Sequence, residues 1–196
     1  MKPKYQYLLW LLTALFTLNA GAQTLSFNKI DTTMKIGKVG YRVTCRNHSL
    51  TENPISIRPI GMETDVHPLD FPLKGRLYAT QVDDLNSDSY PDLLMVIYSD
   101  SNAVHGTVYC LLSEANKSLV PCYLPDVSYD PKVNKGYKGH DQFTLLEGSL
   151  LQRFPIYNTG DADDKPTGGT RTLMYQVTKG DGGGYKFTRL RAFDTK

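Results

Sequence analysis

From Tyr41 onward the chain alternates short apolar runs with turn residues. The runs are "YRVTC" (41–45), "ISIRPI" (55–60), "RLYATQV" (76–82), "LLMVIYS" (93–99), "GTVYCLL" (106–112), "SLVPCYL" (118–124), "QFTLLE" (142–147), "LLQRFPIY" (150–157), "TRTLMYQVT" (170–178) and "YKFTRLRAF" (185–193). Each is rich in Val, Ile, Leu, Tyr, Phe or Thr, and Gly, Asn, Asp and Pro lie between them, which is the pattern of strands and turns. Helical periodicity is nearly absent beyond the N-terminal segment. The pattern predicts an all-β fold, an antiparallel β-sandwich or barrel-like meander of about eight to ten strands. "EGS" and "KGDGGG" read as hairpin turns whose glycines allow positive φ. The stretch from "MKIGKVG" to "RNHSLTENP" (34–54) reads as loop-rich. Two connections are long, 125–141 and 158–169, and long loops on a β scaffold are where binding surfaces form.

The first 22 residues follow a different pattern. Lys2 and Lys4 precede an apolar run from Leu8 to Leu18, and Ala20 and Ala22 stand at the small positions of an A-x-A site. This is the pattern of a cleavable secretory signal, with export to the periplasm or the medium. The run is short for a bilayer span, which takes about 20 apolar residues. The rest, 23–196, is of a length that fits a single domain with a sizeable core. Losing Lys2 and Lys4 brings the formal charge from +2 to 0. A neutral domain with mixed charges gives no support for nucleic-acid binding, which needs a basic patch, and argues against a polybasic membrane surface. The oligomeric state is not legible.

Export places the three cysteines in an oxidising compartment. Cys110 and Cys122 are symmetric about Asn116. A hairpin centred there sets them opposite each other, about 4.5–5.5 Å apart at Cα, within reach of a disulfide. A Cys110–Cys122 bond is therefore expected, with Cys45 left as a buried structural thiol.

The densest candidate chemistry is "DDLNSDSYPDLLMVIYS" (83–99). Asp84, Asn86, Asp88, the Tyr90 carbonyl and Asp92 fall at positions one, three, five, seven and nine of an EF-hand-like loop, where oxygens could converge on Ca²⁺. Ser89 replaces the turn glycine and Met95 the bidentate Glu, and the flanks are strands. The strand–loop–strand pattern is closer to the FG-GAP repeats of integrin-type propellers, of which one copy is present. The same side chains could instead bond their own backbone as an Asx-rich turn, without metal. No cofactor is required by either reading; Ca²⁺ is the one candidate.

Enzyme signatures are lacking. His48, His67, His105 and His140 show no zinc spacing, and no nucleophile elbow or phosphate loop occurs. Asp161, Asp163 and Asp164 could supply an acid/base pair but read as a solvated loop.

Three stretches taken together, "VDDLNSDSYPDLLMVIYS", "GYKGHDQFTLLEGSLLQRFPIY" and "GDADDKPTGGTRTLMYQV", resemble the periplasmic inhibitors of invertebrate-type (i-type) lysozyme, over Arg76 to Val177. The resemblance implies a sandwich-like β fold without catalysis, and a loop that enters the lysozyme cleft and covers its catalytic carboxylates. In that family the loop carries a Ser-Gly-x-Tyr-like motif. The matching segment here is "SDSNAVHGTVY", with Asn102 in place of the serine, His105 in place of the tyrosine and Gly106 displaced. The expected partner-binding residues are Ser99, Asp100, Ser101, Asn102 and His105, the imidazole being suited to pair with a carboxylate. The alternative from a different class is a calcium-stabilised adhesion or surface-binding domain built on the FG-GAP-like turn.

Overall fold

The computed structural model describes residues 28–99, 104–180 and 182–196; the expected signal, 1–22, lies outside them. β1 (Ile30–Ile36), β2 (Val39–Cys45), β3 (Glu52–Ile60) and β4 (Leu69–Lys74) form an antiparallel sheet in chain order. A second sheet holds β5 (Arg76–Asp83), β6 (Asp92–Tyr98), β7 (Gly106–Glu114), β8 (Ser118–Tyr123), β9 (Gln142–Leu146), β10 (Ser149–Pro155), β11 (Thr170–Lys179) and β12 (Tyr185–Thr195). Its order is β5-β6-β7-β8-β12-β11-β10-β9. All its pairings are antiparallel except β8–β12, which is parallel and spans only Tyr185 with Cys122 and Lys186 with Tyr123. The fold is all-β, as the periodicity predicts.

β6 explains the layering. Every one of its residues is buried. Leu93, Met95 and Ile97 pack against Tyr41, Val43, Ile55 and Ile57 of the first sheet. Leu94, Val96 and Tyr98 face the other way, into a core with Cys110, Leu150, Phe154, Leu173 and Phe187. A strand covered on both faces needs a continuous apolar run rather than an alternating one, which is what "LLMVIY" supplies. Ala79 and Leu85, at one margin of the second sheet, join the same core as Leu145 and Leu150 at the other. The sheet is therefore curled into a half-barrel.

Two strands were not predicted, and both correct the reading. β1 pairs with β2 through a turn at Gly37 (φ 62°), so 34–40 is a hairpin rather than loop. Its "IDTTMKI" is polar-rich, and only alternate residues are sheltered. β4 contains Pro72, which cannot donate to a ladder; it is tolerated because β4 is an edge strand. "EGS" is a two-residue turn with Glu147 and Gly148 both at positive φ, the twist that matches a hairpin.

Asn47 and Asn53 bolt the first sheet to β5. The Asn47 side chain accepts from the Leu77 N–H (2.9 Å) and donates to the carbonyls of Leu77 (2.7 Å) and Asn28 (2.8 Å). Asn53 donates to the carbonyls of Gly75 and Ser49 and accepts the Ser49 N–H. Both residues are buried. An Asn47→Ala substitution leaves the Leu77 N–H and carbonyl unpaired in the interior, and the expected loss is about 1–3 kcal/mol. Urea unfolding measures it, with faster amide exchange at Leu77 as the local sign.

Candidate functional site

In the second sheet β6, β8, β10 and β12 run one way and β5, β7, β9 and β11 the other. The connections after β6, β8 and β10 therefore emerge at one end. They are 99–105 and the two longest connections of the sheet, 124–141 and 156–169. The turns after β5, β7, β9 and β11, including the Asp-rich turn, emerge at the opposite end.

A buried carboxylate organises the loop end. Asp141 accepts from the Gly106 N–H (3.0 Å) and the Tyr137 hydroxyl (2.7 Å) on Oδ2, and from Gln152 Nε2 (2.8 Å) on Oδ1. Gln152 Oε1 accepts in turn from the Tyr175 hydroxyl (3.0 Å). The Tyr98 hydroxyl donates to the Asp141 carbonyl (2.6 Å). Burial pushes the Asp141 pKa up, against the opposing pull of these hydrogen bonds and of His105. Burial and the neighbouring Asp141 charge also raise the Tyr137 phenol, so it stays a donor.

The base of the 99–105 loop rests on this network. The Val104 carbonyl accepts the N–H groups of His140 (2.5 Å) and Asp141 (3.3 Å), and the Ser99 N–H reaches the His105 carbonyl at 3.5 Å. Gly139 (φ +85°) allows the approach: a Cβ there would lie 2.6–2.7 Å from Val104. His105 is exposed, with its ring edge-on to Tyr137 at 6.1 Å, and Tyr137 packs edge-on to the core residue Phe154 at 4.7 Å. The imidazole is thus mounted on buried structure.

The third loop joins the same body. Lys138 pairs with Asp163 (2.8 Å) and lies over the Tyr157 ring (4.8 Å). The Tyr157 hydroxyl donates to the Asp163 carbonyl (2.8 Å), and its N–H donates to the Gly136 carbonyl (2.9 Å). Asp161 accepts the N–H groups of Asn158 (2.7 Å) and Thr167 (2.8 Å) and the Thr167 hydroxyl (2.8 Å), which holds its pKa down. Its oxygens staple the loop. Gly168 and Gly169 exchange bonds with Ile156 and shape the turn before β11. Arg171 grips Asp194 through two bonds of 2.7 Å and donates to the Val133 carbonyl (2.6 Å).

At the opposite end the Asp-rich turn is knitted to itself. Asp84 accepts the N–H groups of Asp88 (3.0 Å) and Ser89 (2.8 Å), and Asp88 accepts that of Tyr90 (2.9 Å). Asn86 accepts the Asp88 N–H (3.2 Å) and donates to the Asp88 carboxylate (2.8 Å). Ser87 and Ser89 have positive φ. Asp92 points inward, fully buried, and accepts the Leu85 N–H (2.9 Å) and the Ser113 N–H (2.7 Å). Among the described residues no three His, Cys, Asp or Glu side chains gather as metal ligands. The bonds are those of an Asx-rich turn, with Asp84 and Asn86 half-buried and Asp88 exposed.

Of the expected partner-binding residues, Ser99 is exposed at the end of β6 and His105 stands on Tyr137; Asp100, Ser101 and Asn102 lie outside the described residues. Cys110 and Cys122 are direct cross-strand partners, as the hairpin symmetry requires. The expected disulfide is corrected in one respect: the structure carries both as free, buried thiols. Compared with protein-family models, curated proteins and solved structures, the chain finds no match. Tyr137, Asp141, Gln152 and Tyr175 were missed in the sequence. Tyr137 and Asp141 lie in a long connection and Gln152 and Tyr175 inside strands, so no local spacing marks them as a group; burial and hydrogen bonding reveal their role.

Two outcomes are expected. Asp141→Ala strips three donors of their acceptor, a loss on the order of 3 kcal/mol, and limited proteolysis should then cut within 99–105 and 125–141 before the strands. Asp92→Asn can accept only one of two buried N–H groups, a loss of about 1–3 kcal/mol. Burial raises the Asp92 pKa from 3.8 to about 7 in the folded protein. Its contribution is therefore full below about pH 4 and declines as pH rises to about 7, by at most about 1.4 kcal/mol per unit. In urea unfolding across that range, this pH dependence should be lost in Asp92→Asn, whose amide cannot ionise.

Proposed function

We propose that the protein is an exported, non-enzymatic binding protein that inhibits a lysozyme, i-type enzymes first, by presenting the loop end of its half-barrel to the active-site cleft. The supporting observation is that 99–105 emerges at the same end as the two longest connections, where a buried hydrogen-bond network around Asp141 ties its base to the 125–141 loop. A fixed loop base lowers the entropic cost of association. His105, exposed beside loop 99–105, is the residue suited to meet a catalytic carboxylate. Inhibition of this kind needs a fitted loop and a polar rim, and no cofactor. Clearing of a cell-wall suspension by i-type lysozyme should slow when the protein is added. Replacing Asn102 and His105 together by Ala should weaken inhibition at least about tenfold, near 1.4 kcal/mol, with unchanged melting temperature. Undiminished clearing at micromolar protein rules the proposal out.

A calcium-stabilised adhesion or surface-binding domain is the second reading. It is favoured by the crowding of Asp84, Asp88 and Asp92: the charges of the first two add to the rise in the Asp92 pKa. A cation at the turn would relieve that repulsion. Millimolar Ca²⁺ should then raise the melting temperature after chelation, because a ligand bound only by the folded state stabilises it.

A further inference from the structure

We propose that the outer face of the first sheet carries a binding groove for a neutral, polyhydroxylated ligand of the oligosaccharide class, separate from the loop end. β2 and β3 turn one face to the core between the sheets through Tyr41, Val43, Ile55 and Ile57. The alternate residues face the other way, and the strand register aligns them in rows across the sheet. One row is Asp31, Thr44, Ser56 and Asp70, each the Cα partner of the next. With strands about 4.8 Å apart, the row spans about 14 Å. All four residues line a groove of about 710 Å³, together with Pro54 and Pro72. Small-molecule sites occupy about 300–1,000 Å³, so the groove has room for a ligand of that kind.

The row holds a hydroxyl with nothing to bond. Ser56 Oγ is closed from solvent and has no hydrogen-bond partner, the one such side-chain atom among the described residues. An unmet buried hydroxyl costs stability, so its presence at this point calls for a reason. A ligand hydroxyl meets it once the exposed Asp70 and Arg58 side chains beside it turn aside. The lining selects the ligand class. Asp31 is held by Arg42 (3.1 Å) and Lys29 (3.8 Å), and Glu52 by Lys74, so little charge in the groove is unopposed. A strongly charged ligand therefore finds no matching field. A bare metal ion needs converging oxygens, and the two carboxylates of the row stand at its opposite ends. What remains is a run of small groups: Thr44 and Ser56 each donate and accept, and Asp70 accepts. A sugar hydroxyl, donor and acceptor at once, is their complement. Pro54 and Pro72, Cα partners in the adjoining row, add a rigid apolar surface for the C–H face of a ring.

The test titrates the purified protein with chitotriose, cellotriose and maltotriose, each to about 10 mM, the range of weak sites. Spermidine and citrate serve as charged comparisons. Amide chemical shifts locate binding and calorimetry measures it. At least one trisaccharide should move the Thr44 and Ser56 amides in a saturable way. Ser56→Ala should weaken that sugar at least about tenfold. The same variant should melt at an unchanged or higher temperature, because it deletes a hydroxyl that bonds nothing in the free protein. Asp70→Asn should weaken binding as well, with the fold intact. Replacing Asn102 and His105 together by Ala should leave sugar binding as it was, which separates the groove from the loop end. The proposal is overturned if no trisaccharide moves those amides, if only spermidine or citrate does, or if Ser56→Ala binds the sugar undiminished.

Discussion

The carboxylate of Asp92 is the joint on which the molecule depends. It stands at the start of β6, and one oxygen holds the Leu85 N–H of the Asp-rich turn while the other holds the Ser113 N–H of β7. One residue earlier, the Pro91 carbonyl accepts the hydroxyl of Tyr41, a fully buried side chain of the first sheet, at 2.7 Å. Turn, central strands and first sheet therefore meet within two residues. Only a side chain with two acceptors can serve both amides. In an apolar setting those bonds are stronger than in water, and an unmet partner is correspondingly costly. The doubly covered β6 can be entirely apolar because the polar groups at its start are met in this way.

The other end of β6 has a different task. It delivers the chain into 99–105, and the burial of Tyr98 against Asp141 fixes the direction of departure. Asp141 repeats the device of Asp92, a buried carboxylate met by backbone and side-chain donors, at the end where the connections are long. The frame is held rigid at one end by an Asx-rich turn. At the other, long segments converge on a shared network, with exposed residues such as His105 projecting from it. That division puts conformational order beneath a surface made of loops, which is the arrangement a recognition surface needs.

Much of the frame was legible in the sequence. Ten strands announced themselves by β-branched and aromatic runs between turn residues, because packing against a sheet face demands those shapes. The Cys110–Cys122 register followed from symmetry about Asn116 alone. β1 and β4 were hidden for separate reasons: β1 buries only alternate, partly polar residues, and β4 carries Pro72, tolerable only at an edge. The long loops were visible as gaps between runs. Their convergence was not, since strand order decides which gaps share an end. Asp141 was unreadable for the same reason: its partners come from Gly106, Tyr137 and Gln152, on three different parts of the chain, and no local spacing marks them.

The narrow contact between β8 and β12 gives the molecule a seam. Within the second sheet β5–β8 are one antiparallel meander and β9–β12 another, and two residue pairs join them. What holds the halves together is chiefly the shared apolar interior, with Arg189 of β12 gripping Asp130 across the connecting segment. The second sheet is thus two four-stranded halves joined edge to edge, so the chain is divisible in a way the shared half-barrel interior conceals. Fragments cut between 124 and 141 would each keep their full ladder of strands and carry matching halves of one interior, the condition under which a severed protein can reassemble from its pieces.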